Sequence, residues 1–133
     1  MKRLLVLLFA CASANAQLPP LPETSRSNIE YQSVADALTA LRAKPGVEIR
    51  NQGGWTIVDD LKNYVIWSFA PEGHAAYPAV VKRAIVQKDG RIAVNMGVKC
   101  ESTKEACDAL VREFIELNEK MRASVQSGSG GMR

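Results

Sequence analysis

Apolar residues recur along this chain with two different periods, and the change of period marks its elements. Val34, Ala37, Leu38 and Leu41 stand three or four apart, the spacing of one helix face. Ser33 precedes them as an N-cap, and Asp36 sits in the first turn, where the helix dipole favours an anion. The pattern predicts a helix that Lys44-Pro45-Gly46 stops. A period of two follows. Val47 to Asn51 and Trp55 to Val58 read as strands joined at Gln52-Gly53-Gly54, since paired glycines supply the positive φ angles of a tight hairpin. Asp59 to Asn63 reads as a polar turn whose two adjacent aspartates point apart and face solvent. Tyr64 to Phe69, rich in β-branched and aromatic residues, is a further strand.

Beyond a Pro-containing loop from Pro71 to Pro78, the stretches Ala79 to Lys88 and Arg91 to Cys100 flank Asp89-Gly90, a strong hairpin signal. If the turn has two residues, Lys88 faces Arg91 and the pairing can be counted backwards. Ala79, Val81 and Ile85 then share the core side with Ile92, Val94, Met96, Val98 and Cys100. Lys82, Lys88, Arg91 and Lys99 fall on the other side as a basic face, read first as a solvated surface and second as a site for an acidic partner or phosphate. Arg83 lands on the core side opposite Met96, so it either snorkels at the sheet margin or marks a bulge. Ser102 and Glu105 have capping-box spacing, and Cys107, Leu110, Phe114, Leu117 and Met121 form the apolar stripe of a final helix. The expected fold class is α+β: an N-terminal helix, about five mainly antiparallel strands, and a C-terminal helix packed on one face. If the basic face is wet, both helices lie on the other.

The ends of the chain are of a different character. Met1-Lys2-Arg3, the apolar run Leu4 to Ala10 and Ala14-Asn15-Ala16 have the layout of a cleavable export signal over residues 1–16. Leu8-Phe9-Ala10-Cys11 offers a rival reading, in which Cys11 becomes a lipid-anchored N-terminus. Residues 17–28, with Pro19, Pro20 and Pro22, read as a linker, 29–123 as one domain, and 124–133 as a flexible Ser/Gly-containing tail. Charge reinforces this division: the chain has 17 Lys and Arg against 14 Asp and Glu, and without Lys2 and Arg3 the excess falls from +3 to +1. A near-neutral mature chain makes no electrostatic case for nucleic acid or an anionic membrane. No later apolar stretch is long enough to span a bilayer. The destination is therefore periplasmic or secreted.

Export places Cys100 and Cys107 in an oxidising compartment, and both fall at one strand-to-helix corner, so a disulfide between them is expected. Their separation lacks the C-x-x-C spacing of redox pairs, and Cys100, Cys107 and His74 fall short of the four ligands usual for zinc. No metal or cofactor is expected. His74 is the chain's one histidine, so a nucleophilic hydrolase would require it as base, with no G-x-S-x-G elbow to supply a serine. P-loop, Rossmann and EF-hand signatures are absent from the sequence. Catalytic residues are accordingly not assigned.

Trp55, Trp67, Phe69, His74 and Tyr77 gather in the middle of the chain, and the run from Tyr64 to Phe69 is apolar on both faces. One face packs on the helices. The other is covered by the first helix and the linker or exposed as a contact surface for another protein. These five residues are the candidate partner-binding set. From Gly53-Gly54-Trp55-Thr56 through Trp67-Ser68-Phe69 to His74-Ala75-Ala76-Tyr77-Pro78-Ala79-Val80-Val81-Lys82-Arg83, the sequence resembles a group of small exported proteobacterial proteins of unknown function. Tyr77-Pro78, Asp89-Gly90-Arg91-Ile92 and the following helix are also similar to the C-terminal domain of TonB-type envelope proteins, and no residue role is carried over from either. The functional expectation is a non-catalytic domain that binds an envelope or secreted protein, of inhibitor, immunity or envelope-accessory type. A small-ligand carrier and a hydrolase using His74 are the alternatives.

Overall fold

The structure, a computed structural model, describes residues 29–128. The expected export signal and linker, with Cys11, and the positions beyond 128 lie outside these residues. The elements run α1 (Val34–Ala43), β1 (Glu48–Gln52), β2 (Trp55–Asp60), β3 (Val65–Phe69), β4 (Ala79–Lys88), β5 (Arg91–Cys100) and α2 (Lys104–Gly128), with a short 3-10 turn at Leu61–Asn63. The five strands form one sheet in sequence order, each antiparallel to the next. This is an α+β fold.

Both hairpin turns take the form their residues require. Gly53 and Gly54 have φ of +56° and +85°, and Asp89 and Gly90 have +53° and +73°, so each loop has two left-handed residues whose twist matches the flanking strands. Lys88 accordingly faces Arg91, Arg83 faces Met96 and Ala79 faces Cys100 with no bulge between. Arg83 keeps its core-facing register without a bulge and is 9% exposed.

The sheet is apolar on both faces, and each face is covered. On one side, Val58, Trp67, Phe69 and Val80 pack against Val34, Ala37 and Leu41 of α1, with Ile29 and Tyr31 at the margin. On the other, Ala79, Val81 and Val98 meet Leu110, Val111 and Phe114 of α2, with Trp55 and Met96 beside them. The helices thus lie on opposite faces, and the expectation of both on one face is corrected. Its premise was a wet basic face. Instead Lys82 and Lys99 share the α1 side with the Trp67 row, so the segment that covers Trp67 also reaches those lysines.

Ser33 caps α1 as expected, accepting from the Asp36 N–H at 3.0 Å. At α2 the cap shifts by one residue. Thr103 Oγ1 accepts from the Ala106 N–H at 3.2 Å, while Ser102 Oγ donates to Ala75 O at 2.8 Å, so the Ser102–Glu105 capping box does not form. α2 continues to Gly128, past the expected domain end at 123. Asp59 and Asp60 also depart from the polar turn: both belong to β2 and both are buried. Because strand side chains alternate, they face opposite sides, where Arg50 Nε meets Asp59 Oδ2 and Lys44 Nζ meets Asp60 Oδ2, each at 2.6 Å.

Candidate functional site

Three of the five candidate partner-binding residues come together at one end of the sheet. The Gly53-Gly54 turn leans on the β3–β4 loop: a Cβ on Gly54 would stand 3.5 Å from Pro71 Cβ. Trp55 follows that turn, its ring 5.2 Å from His74 at an interplanar angle of 72° and 5.6 Å from Phe114 of α2. Tyr77 stands 44% exposed on the same loop. Trp67 and Phe69 do not join them. They are 3% and 4% exposed beneath α1, so neither can form a contact surface, and that assignment is corrected.

The loop is held by its own backbone and by the start of α2. His74 N–H donates to Pro71 O at 3.1 Å and Tyr77 N–H to His74 O at 3.0 Å. Ala76 N–H donates to His74 Nδ1 at 3.0 Å, which makes Nδ1 an acceptor and puts the neutral ring's proton on Nε2. Glu101 N–H reaches Pro78 O at 2.8 Å, in addition to the Ser102–Ala75 bond. Behind these contacts, Cys100 and Cys107 form the expected disulfide, with their Cα atoms 5.7 Å apart. Cys100 Sγ, which carries no proton in that bond, rests 3.4 Å from Ala76 O. Comparison with protein-family models, curated proteins and solved structures finds no match. The chemistry of the site must therefore be argued from its own residues.

The basic row does not present four free cations. Lys82 Nζ lies 5.0 Å over the Trp67 ring and bonds Glu30 Oε1 at 3.1 Å, and Lys99 Nζ donates to Gln32 O at 3.1 Å. These contacts fix the segment before α1 onto the sheet. Arg91 and Lys88 belong to the far end of the β4–β5 hairpin, ten-residue strands away from the Cys100 end. Among the described residues, no group of three or more His, Cys, Asp and Glu could hold a metal ion, and no helix is long and apolar enough to cross a membrane.

Neither Arg50 nor Lys44 stands out in the sequence as an ion-pair partner. Their pairing with Asp59 and Asp60 depends on hairpin register and on helix docking. One signal was available for Arg50: a β1 cation beside a β2 anion on the same face. Lys44 Nζ holds the Asp60 carboxyl below its ordinary range through their hydrogen bond, and Asn63 Nδ2 at 2.9 Å adds to the effect. The same hydrogen bond raises the Lys44 ammonium.

Proposed function

We propose that the protein is an exported, non-catalytic binding domain that docks another envelope or secreted protein through Trp55, His74 and Tyr77. The observation that carries this reading is the fixed loop. An aromatic-bearing segment braced by five hydrogen bonds and a neighbouring disulfide loses little entropy when a partner settles on it. Rigid aromatic side chains beside polar groups are the usual anchors of such contacts. His74 contributes a directed Nε2–H donor. Its Nδ1 is already engaged by Ala76 N–H, which argues against its serving as the base of a hydrolase.

A photo-cross-linking residue at position 77, introduced into the exported protein, tests the reading in the cell. It should capture one stoichiometric protein partner that the same residue at exposed position 61 does not. With that partner purified, Tyr77→Ala and Trp55→Ala should each weaken binding by about tenfold or more, the scale of a hot-spot residue. Equal capture from both positions, or undiminished affinity in both variants, would remove the loop from consideration.

A further inference from the structure

Of the buried ionised groups among the described residues, Asp59 and Asp60 each have an ion-pair partner and Arg83 has none. Its Nε is sealed from solvent without a hydrogen-bond partner. A buried guanidinium N–H left without a partner is disfavoured, so a ligand group that supplies the missing acceptor would be stabilised there.

The strand register locates this group. Glu48, Asp59, Ile66, Arg83 and Met96 form one row across the five strands, on the face that carries α2. The Phe114 ring, with its centroid 5.3 Å from Arg83 Cζ, bounds one side of the guanidinium. One helical turn further on, Asn118 Nδ2 sits 3.4 Å from Met96 Sδ, while its Oδ1 is buried without a partner. An orphan donor on β4 and an orphan acceptor on α2 thus flank Met96 of β5, the residue that Arg83 faces across the hairpin and that Asn118 touches. Burial pushes the Arg83 guanidinium below its ordinary range, Arg50 adds to that effect and Asp59 opposes it. Asp59, which carries Arg50 as its ion-pair partner, stands two strands from Arg83 in the same row.

We propose that Arg83 anchors a binding site for a monocarboxylate, with Arg50 as the second cation and Asn118 Oδ1 accepting from an N–H or O–H of the same ligand. The planar fork of a guanidinium matches the two oxygens of a carboxylate. Charge selects a monoanion. Arg50 and Arg83 against Asp59 leave one uncompensated positive charge, which a carboxylate neutralises and a phosphate dianion would exceed. Glu48 lies in the same row but is exposed, where water and salt screen it. The carboxylate can come from a free organic acid or from the end of a peptide chain, and both present the same group to Arg83. The site stands apart from the Tyr77 loop, so it does not rest on that loop's role.

The test is an NMR titration of the mature chain with sodium benzoate at constant ionic strength, read at the Arg83 Nε–H and Asn118 side-chain signals. A saturable shift of both is expected. Arg83→Met should weaken benzoate binding by about tenfold or more, and Arg50→Gln by a smaller factor. Phosphate at matched ionic strength should produce no saturable shift. Short peptides with free or amidated C-termini separate the two sources: preference for the free-ended peptide over benzoate points to a chain end, and the reverse to a small acid. Retention of benzoate affinity in Arg83→Met, or in Arg83→Lys if the methionine variant does not fold, would overturn the proposal. So would an equal response to phosphate. No saturable response to either benzoate or the free-ended peptide would overturn it as well, leaving Arg83 and Asn118 as a water-bridged pair inside the fold.

Discussion

Asp59 and Asp60 are neighbours in sequence that do separate work on opposite faces of the sheet. Asp60 is the better test of what a buried carboxylate contributes, because its carboxyl is held below the ordinary range by the Lys44 hydrogen bond and by Asn63. A carboxyl depressed in the folded state stabilises the fold at any pH above its unfolded value of about 4, and that contribution disappears as pH falls through the folded value. The raised Lys44 ammonium gives the complementary limit: its share is present below the unfolded value and is lost as pH rises through the folded one. Asp60→Asn should therefore lower stability at pH 7 by about 1–2 kcal/mol, a figure kept small because the Lys44 side chain is 40% exposed. Urea unfolding should show the variant and the parent converging as pH drops below 4. A gap that persists unchanged at low pH would mean that packing, not charge, accounts for the loss. Alternation alone showed that the two aspartates point apart. Their burial was not legible, since it depends on α1 bringing Lys44 alongside and on β1 bringing Arg50.

Among the elements, the β4–β5 hairpin was the most legible, and for a local reason. A two-residue Asp89-Gly90 turn fixes register, and register fixes every facing pair up to Ala79 and Cys100. The start of α2 was less so, because Ser102 and Thr103 are both competent caps and the choice is made by Ala75, which takes the Ser102 hydroxyl. The disulfide closes this strand-to-helix corner across a sequence separation of 7. In the chain-entropy view, closing so short a loop contributes about 2–3 kcal/mol. Reducing it, or replacing both cysteines with alanine, should lower stability by that amount in chemical denaturation. A loss well below 1 kcal/mol would indicate that the Glu101–Pro78 and Ser102–Ala75 bonds hold the corner without it.

At the level of the whole molecule, the sheet is sandwiched between its two helices, and this separates the aromatic residues into two groups. Trp67→Ala should cost about 3–5 kcal/mol, because the ring fills the layer under α1. Tyr77→Ala should stay within about 0.5 kcal/mol of the parent. Equal stabilities in urea unfolding would put Trp67 back on the surface. An apolar run on both faces of Tyr64 to Phe69 carried the information that two covers were needed. It did not say which cover was α1, because docking from a distant part of the chain leaves no periodic signature in the strand it meets. Spatial strand order equals sequence order in this sheet, so each pairing joins consecutive segments and low contact order favours rapid assembly of the meander. α1 is the exception. It is synthesised before the sheet, yet its apolar face meets Val80 of β4, and its first N–H groups include one that Glu101 accepts at 3.3 Å across 67 residues. Among the described residues α1 is therefore made first, yet its contacts are complete only once Val80 and Glu101 have followed, and until then its stripe of Val34, Ala37 and Leu41 is the segment that a chaperone would meet on the emerging chain.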